Sequence, residues 1–116
     1  MTRMIAMLAA LHGLCGVAFA ALGAHGGADS SVTTGAMFEI LHAAAALGAL
    51  ALLPTRMGQV AVLVLLAGTL LFSGALYLSG LAGISLGPVA PLGGLTMMAG
   101  WILIGAAIIR TAAPRQ

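Results

Sequence analysis

The four arginines of this chain, Arg3, Arg56, Arg110 and Arg115, all stand at the ends of long apolar runs, and no lysine accompanies them. Both acids and two of the three histidines, His25, Asp29, Glu39 and His42, fall instead between residues 25 and 42. The chain is 62% hydrophobic and only 5% charged, whereas a soluble domain carries about a quarter charged residues. Too little polar surface remains to hold such a chain in water. Charges confined to the ends of apolar segments predict a membrane bundle, and 116 residues suffice for one domain, 1–116.

Four spans are expected, at about residues 4–24, 37–53, 59–81 and 92–109. Arg3, an apolar stretch and Ala18-Phe19-Ala20 imitate a secretory signal. The run from Met4 to Ala24 has spanning length, however, so it is read as a transmembrane helix. Span two, drawn from residue 37, covers only about 26 Å at 1.5 Å per residue, slightly short for the hydrocarbon core. Pro54 ends it; Gly87, Pro88 and Pro91 break the chain before span four. Asp29, Ser30 or Ser31 is placed to cap a short helical turn leading into span two. Lys and Arg favour the cytoplasmic side of a bilayer. The arginines therefore predict an all-α integral membrane four-helix bundle with both termini cytoplasmic and segments 25–36 and 82–91 outside.

Composition excludes several classes. The 17 glycines follow no triplet period, so the chain is not collagenous. Four dispersed arginines make no nucleic-acid patch, and no nucleic-acid partner is expected. The single cysteine, Cys15, forms no internal disulfide and reads as a small hydrophobe in an apolar run. Phosphate loops, dinucleotide glycine patterns, C-x-x-C pairs and hydrolase elbows are absent.

Helical spacing then sorts the faces. In span one, Ala9, His12, Gly13, Gly16, Ala20 and Gly23 share a side of small residues that lets helices approach, opposite Leu8, Leu11, Phe19 and Leu22. His12 is thus an intramembrane polar residue facing the bundle near mid-depth. The expectation is a neutral imidazole bonded to a facing carbonyl or hydroxyl. In span three, Thr69, Ser73, Tyr77 and Gly80 share a face, with Ser73 a second intramembrane polar group. Span four opens with Gly93, Gly94 and Thr96; Trp101 lies deeper and is expected to pack with its N–H bonded to a neighbour. His25, Glu39, His42, Tyr77 and Thr96 are accordingly expected as one polar cluster in the outer third of the bundle.

Glu39 and His42 stand three apart, on one helix face. E-x-x-H is the pattern of di-iron carboxylate bundles, but those need two such motifs and two further Glu, and Glu39 is the only Glu here. A mononuclear site from His25, His42 and Glu39 has the chemistry of a Zn or non-haem Fe centre. Three such donors in a short stretch often co-occur without metal, and neither a metal nor a cofactor is expected. A carboxylate beside imidazoles in a dry site also suits proton handling. The plainer alternative is an anchor for span two at headgroup level.

Several stretches are specific as a set: Gly23-Ala24-His25-Gly26, Phe38-Glu39-Ile40-Leu41-His42-Ala43, Gly68-Thr69-Leu70-Leu71-Phe72-Ser73-Gly74-Ala75-Leu76-Tyr77, and Pro91-Leu92-Gly93-Gly94 leading to Ala99-Gly100-Trp101. Over nearly its whole length the chain resembles the domain-of-unknown-function family 423, small four-helix membrane proteins related to transmembrane protein 256. The resemblance implies four transmembrane helices and a bacterial inner-membrane location, and supplies no established activity. The family pattern at span two is similar to Tyr-Gln-x-x-His, with Phe38 at the Tyr position and Glu39 at the Gln position. A Glu/Gln exchange fits hydrogen bonding better than ligation or proton transfer.

The function expected on these grounds is that of an accessory or scaffold subunit, without enzymatic activity, partnered by the lipid bilayer and by other membrane subunits or further copies of itself. Two alternatives stand beside it. One is a small transporter, channel or ligand-binding bundle using the outer polar cluster. The other is a redox subunit binding metal, haem or quinone through His12, His25 or His42.

Overall fold

A computed structural model describes residues 1–26 and 29–112. It contains four helices in chain order, α1 (Thr2–His25), α2 (Ser30–Leu52), α3 (Arg56–Ala82) and α4 (Val89–Ala112). All four are long and apolar enough to cross a membrane. Arg115 lies outside the described residues.

The helix ends have local causes. Asp29 caps α2, its carboxylate accepting from the Ser31 N–H at 2.8 Å. That bond favours the charged form and holds the Asp29 carboxyl below its usual value. Thr55 caps α3 by accepting from the Gly58 N–H at 3.1 Å. Gly83 ends α3 with φ 66°, the left-handed conformation that a residue without Cβ adopts freely. The Gly83 and Ile84 N–H groups then bond back to Ser79 and Leu78 carbonyls. Pro91 falls in the first turn of α4, where its missing N–H has no helical partner to lose. Gly87 and Pro88 precede the helix, but Pro91 does not break it.

Span two differs most from expectation. It begins at Ser30 rather than 37, because the capped turn and the apolar run form one helix. Val32, Gly35 and Ala36 are buried at helical spacing, and the Thr34 hydroxyl bonds the Ser30 carbonyl. The 23-residue helix covers roughly 35 Å, ample for a bilayer core.

Consecutive helices run antiparallel. Gly13 faces Ala43, Gly16 faces Ile40 and Gly23 faces Thr33, the partner index falling as the first rises. Gly80 beside Val32 and Gly35 beside Tyr77 extend the pattern to α2 and α3. Gly68 beside Met97 and Gly100 beside Leu65 do the same for α3 and α4. Close packing follows chain order, with α2 and α3 central and only slight contact between α1 and α3. The main core, around Ala9, Ala46, Val62, Leu65 and Met97, lies toward the end that carries Arg3, Arg56 and Arg110. A smaller cluster of Val32, Ala36 and Tyr77 lies toward the other end.

Candidate functional site

The longer α2 decides where Glu39 sits. Nine residues in from Ser30, about 14 Å at helical rise, Glu39 reaches mid-helix rather than the outer end. The antiparallel register of α1 brings His12 to the same level, and α3 brings Tyr77. His12 Nδ1 lies 2.8 Å from Glu39 Oε1. The Tyr77 hydroxyl donates to Glu39 Oε2 at 2.5 Å. Glu39 is only 4% exposed and Tyr77 8%. Both lengths fall in the range of charge-assisted bonds, the pattern of a carboxylate accepting from an imidazole N–H and a phenol. A buried carboxylate needs such partners, since an unpaired charge in an apolar interior is very unfavourable. His12 therefore faces a carboxylate, not the carbonyl or hydroxyl expected of it.

The small residues around the triad explain its closeness. A Cβ on Gly35 would lie 2.9 Å from the Tyr77 ring. Phe19 stacks on that ring, with centroids 3.8 Å apart and planes 21° from parallel. Phe19 thus belongs to the inward face with His12 and Gly16, not to the lipid face with Leu8 and Leu11. Ser73, one turn from Tyr77, is fully buried and donates to the Gly35 carbonyl at 2.8 Å. Thr69 turns back to its own Leu65 carbonyl at 2.8 Å.

The expected outer cluster is not assembled as one site. Glu39 and Tyr77 meet, but His42 and Thr96 bond other groups and His25 lies apart. His25 is exposed at the end of α1, thirteen residues or about 20 Å of helix from His12. Thr96 bonds the Leu92 carbonyl of its own helix at 2.8 Å. His42 Nδ1 lies 2.7 Å from the Phe38 carbonyl, and Trp101 Nε1 donates to His42 Nε2 at 3.3 Å. A carbonyl only accepts and an indole N–H only donates, so His42 is a neutral imidazole protonated at Nδ1. Its E-x-x-H spacing from Glu39 brings no bond between the two. Among the described residues no three His, Cys, Asp or Glu side chains converge to hold a metal, so His25, His42 and Glu39 form no common site.

One polar contact escaped the sequence reading. Gln59 Nε2 donates to Thr2 Oγ1 at 2.7 Å, tying the starts of α1 and α3, while its Oε1 is buried without a partner. Its signal was weak: one amide four residues into a long apolar helix.

Comparison with known proteins agrees with this architecture. Residues 19–94 match the family described as "Protein of unknown function (DUF423)". The chain is 32% identical over 120 residues to the UPF0382 inner membrane protein YgdD of Escherichia coli strain K12, covering 94% of this chain and 92% of that one. The same figures hold for the protein of that name from Shigella flexneri. No solved structure matches. A family match over most of the chain and a relative aligned nearly end to end place this four-helix protein in the DUF423 family of membrane proteins.

Proposed function

We propose that this protein is a small multi-pass subunit of the bacterial inner membrane that packs against other membrane proteins, without catalysing a reaction itself. The inner-membrane placement follows the name of its relatives, and multi-pass topology follows its four helices. One observation carries the packing role: the polar groups near mid-membrane are bonded within the chain, and among the described residues Gln59 Oε1, near the start of α3, is the buried side-chain atom without a partner. His12, Glu39 and Tyr77 bond one another, Ser73 and Thr69 bond carbonyls, and His42 bonds Phe38 and Trp101. What turns outward is apolar. On α1 these are Met4, Met7, Leu8, Leu11 and Leu14, which line a shallow hollow of about 620 Å³. On α4 they include Leu95, Met98, Ile102 and Ile109. Because α1 and α4 are each covered mainly by one neighbouring helix, their free faces suit lipid or the helices of other subunits. The transporter and ligand-binding alternative, built on the outer cluster, has no assembled cluster to rest on.

The test is solubilisation in mild detergent of the tagged protein at its native expression level, followed by native electrophoresis. Migration with a larger assembly is expected. Recovery of the free four-helix chain alone would contradict the proposal.

A further inference from the structure

The polar triad leaves one atom over. His12 gives its Nδ1–H to Glu39, and among the described residues nothing bonds its Nε2. The neutral ring presents a lone pair there, which only a donor satisfies. That nitrogen is not sealed inside. The His12 side chain is 13% exposed, and the enclosed side-chain atom without a partner among the described residues is Gln59 Oε1, not His12 Nε2. Nε2 thus reaches the surface of the bundle ten residues into α1, about 15 Å at helical rise. At that depth acyl chains offer no donor, so the acceptor calls for a group from protein.

The flank of α1 around His12 is open. Phe19, two turns further on, stacks on Tyr77, which turns this flank toward α3. Yet α1 packs closely on α2 and touches α3 only slightly, and it is the least buried of the four helices. Along the flank Met4, Leu8, Leu11, Cys15, Ala18 and Leu22 recur at alternate steps of four and three, the spacing with which two helices coil about each other. All but Cys15 are exposed. Cys15 is free and partly exposed, and its thiol, a weak donor, has no hydrogen-bond partner among the described residues. It stands three residues from His12, about 4.5 Å along the axis and about 60° around it.

One helix flank therefore carries an unused acceptor and an unused donor side by side. A second copy, inserted with its arginines on the same side of the membrane and related by a two-fold axis along the membrane normal, presents the same pair reversed. Each His12 then meets the thiol of the other copy, and both groups are satisfied at once. An unrelated helix would satisfy Nε2 only by bringing its own donor to this depth, and would leave the thiol unused.

We propose that the protein forms a parallel homodimer through this flank of α1, the Cys15 thiol of each copy donating to His12 Nε2 of the other. The inference rests on the packing role proposed above and names the partner for one face of it.

Cys15 is the only cysteine, so the parent protein reports on its own interface. In liposomes of phosphatidylethanolamine and phosphatidylglycerol, copper phenanthroline is expected to yield a disulfide-linked dimer. Cys15→Ala combined with Leu14→Cys moves the thiol to the apolar hollow, away from His12, and is expected to stay unlinked. Energy transfer between copies tagged with fluorescent proteins then gives the dimer dissociation constant without using the cysteine. Cys15→Ala is expected to raise it about three- to tenfold, the loss of two interhelical bonds. Cys15→Ser keeps a donor and is expected to stay within about twofold of the parent. The proposal is overturned if the parent is monomeric in liposomes, if the Leu14→Cys variant links as readily as the parent, or if Cys15→Ala dimerises as tightly. A monomer in liposomes beside native protein that migrates with a larger assembly would overturn this pairing and leave the packing role standing.

Discussion

At the scale of single residues, Glu39 concentrates the chemistry of the chain, and its role follows from which neighbours it reaches. The Gln-like pattern of the family has a physical reading in this geometry. A glutamine in place of Glu39 accepts from Tyr77 through its side-chain carbonyl and donates through its amide to a neutral His12. Glu39→Gln is therefore expected to change stability by less than about 1 kcal/mol. Glu39→Leu strips both His12 and Tyr77 of their acceptor within the bundle and is expected to lose about 1–3 kcal/mol. Thermal unfolding in one detergent compares the two variants directly. The components of this site were legible in the sequence, but its pairing was not. His12 and Glu39 were each visible as intramembrane or near-membrane polar groups. They stand 27 residues apart, on different helices, so their meeting depends on where α2 begins. Starting span two at 37 held Glu39 near the surface, beside His25; starting it at Ser30 carries Glu39 down to His12. The Asp29 cap was recognisable, but whether the capped turn runs on into the span depends on burial of Val32, Gly35 and Ala36 against other helices.

At the scale of helices, close approach is set by the position of glycines rather than by their number. A Cβ on Gly93 would collide with the Phe72 backbone N–H, and one on Gly68 would lie 2.5 Å from the Met97 nitrogen. Backbone atoms cannot rotate aside, so α3 and α4 would have to separate along their contact. Gly94, the next residue, has nothing within 4 Å of its added Cβ. Gly93→Ala is expected to destabilise the protein by about 1–3 kcal/mol. Gly94→Ala is neutral or slightly stabilising, since alanine is the better helix former. Equal effects at the two positions, read by chemical unfolding in bicelles, would show that the α3–α4 contact is not the one described. The sequence marked Gly93 and Gly94 together at the start of span four. It did not separate them, because helical spacing identifies a face only once the partner helix is known. The same ambiguity put Phe19 with the lipid-facing residues although it stacks on Tyr77.

At the scale of the whole molecule, hydrophobic length made the four spans legible, since each apolar run had to satisfy its own backbone inside a bilayer. Their order in space was less legible. Nearly uniform hydrophobicity gives little sign of which helix is central, and burial of α3 became apparent only from its packing with both α2 and α4. The resulting bundle has a polar interior seam and a mostly apolar exterior, on which the His42–Trp101 pair is partly exposed. In that arrangement Glu39 is an internal clamp that joins α1, α2 and α3, and it is not half of an E-x-x-H site with His42. A pair of double-mutant cycles in bicelles tests this most directly, combining Glu39→Leu with His12→Phe in one and with His42→Phe in the other. The expected coupling is about 1 kcal/mol for Glu39 with His12, and none beyond error for Glu39 with His42. Coupling to His42 with none to His12 would contradict the account.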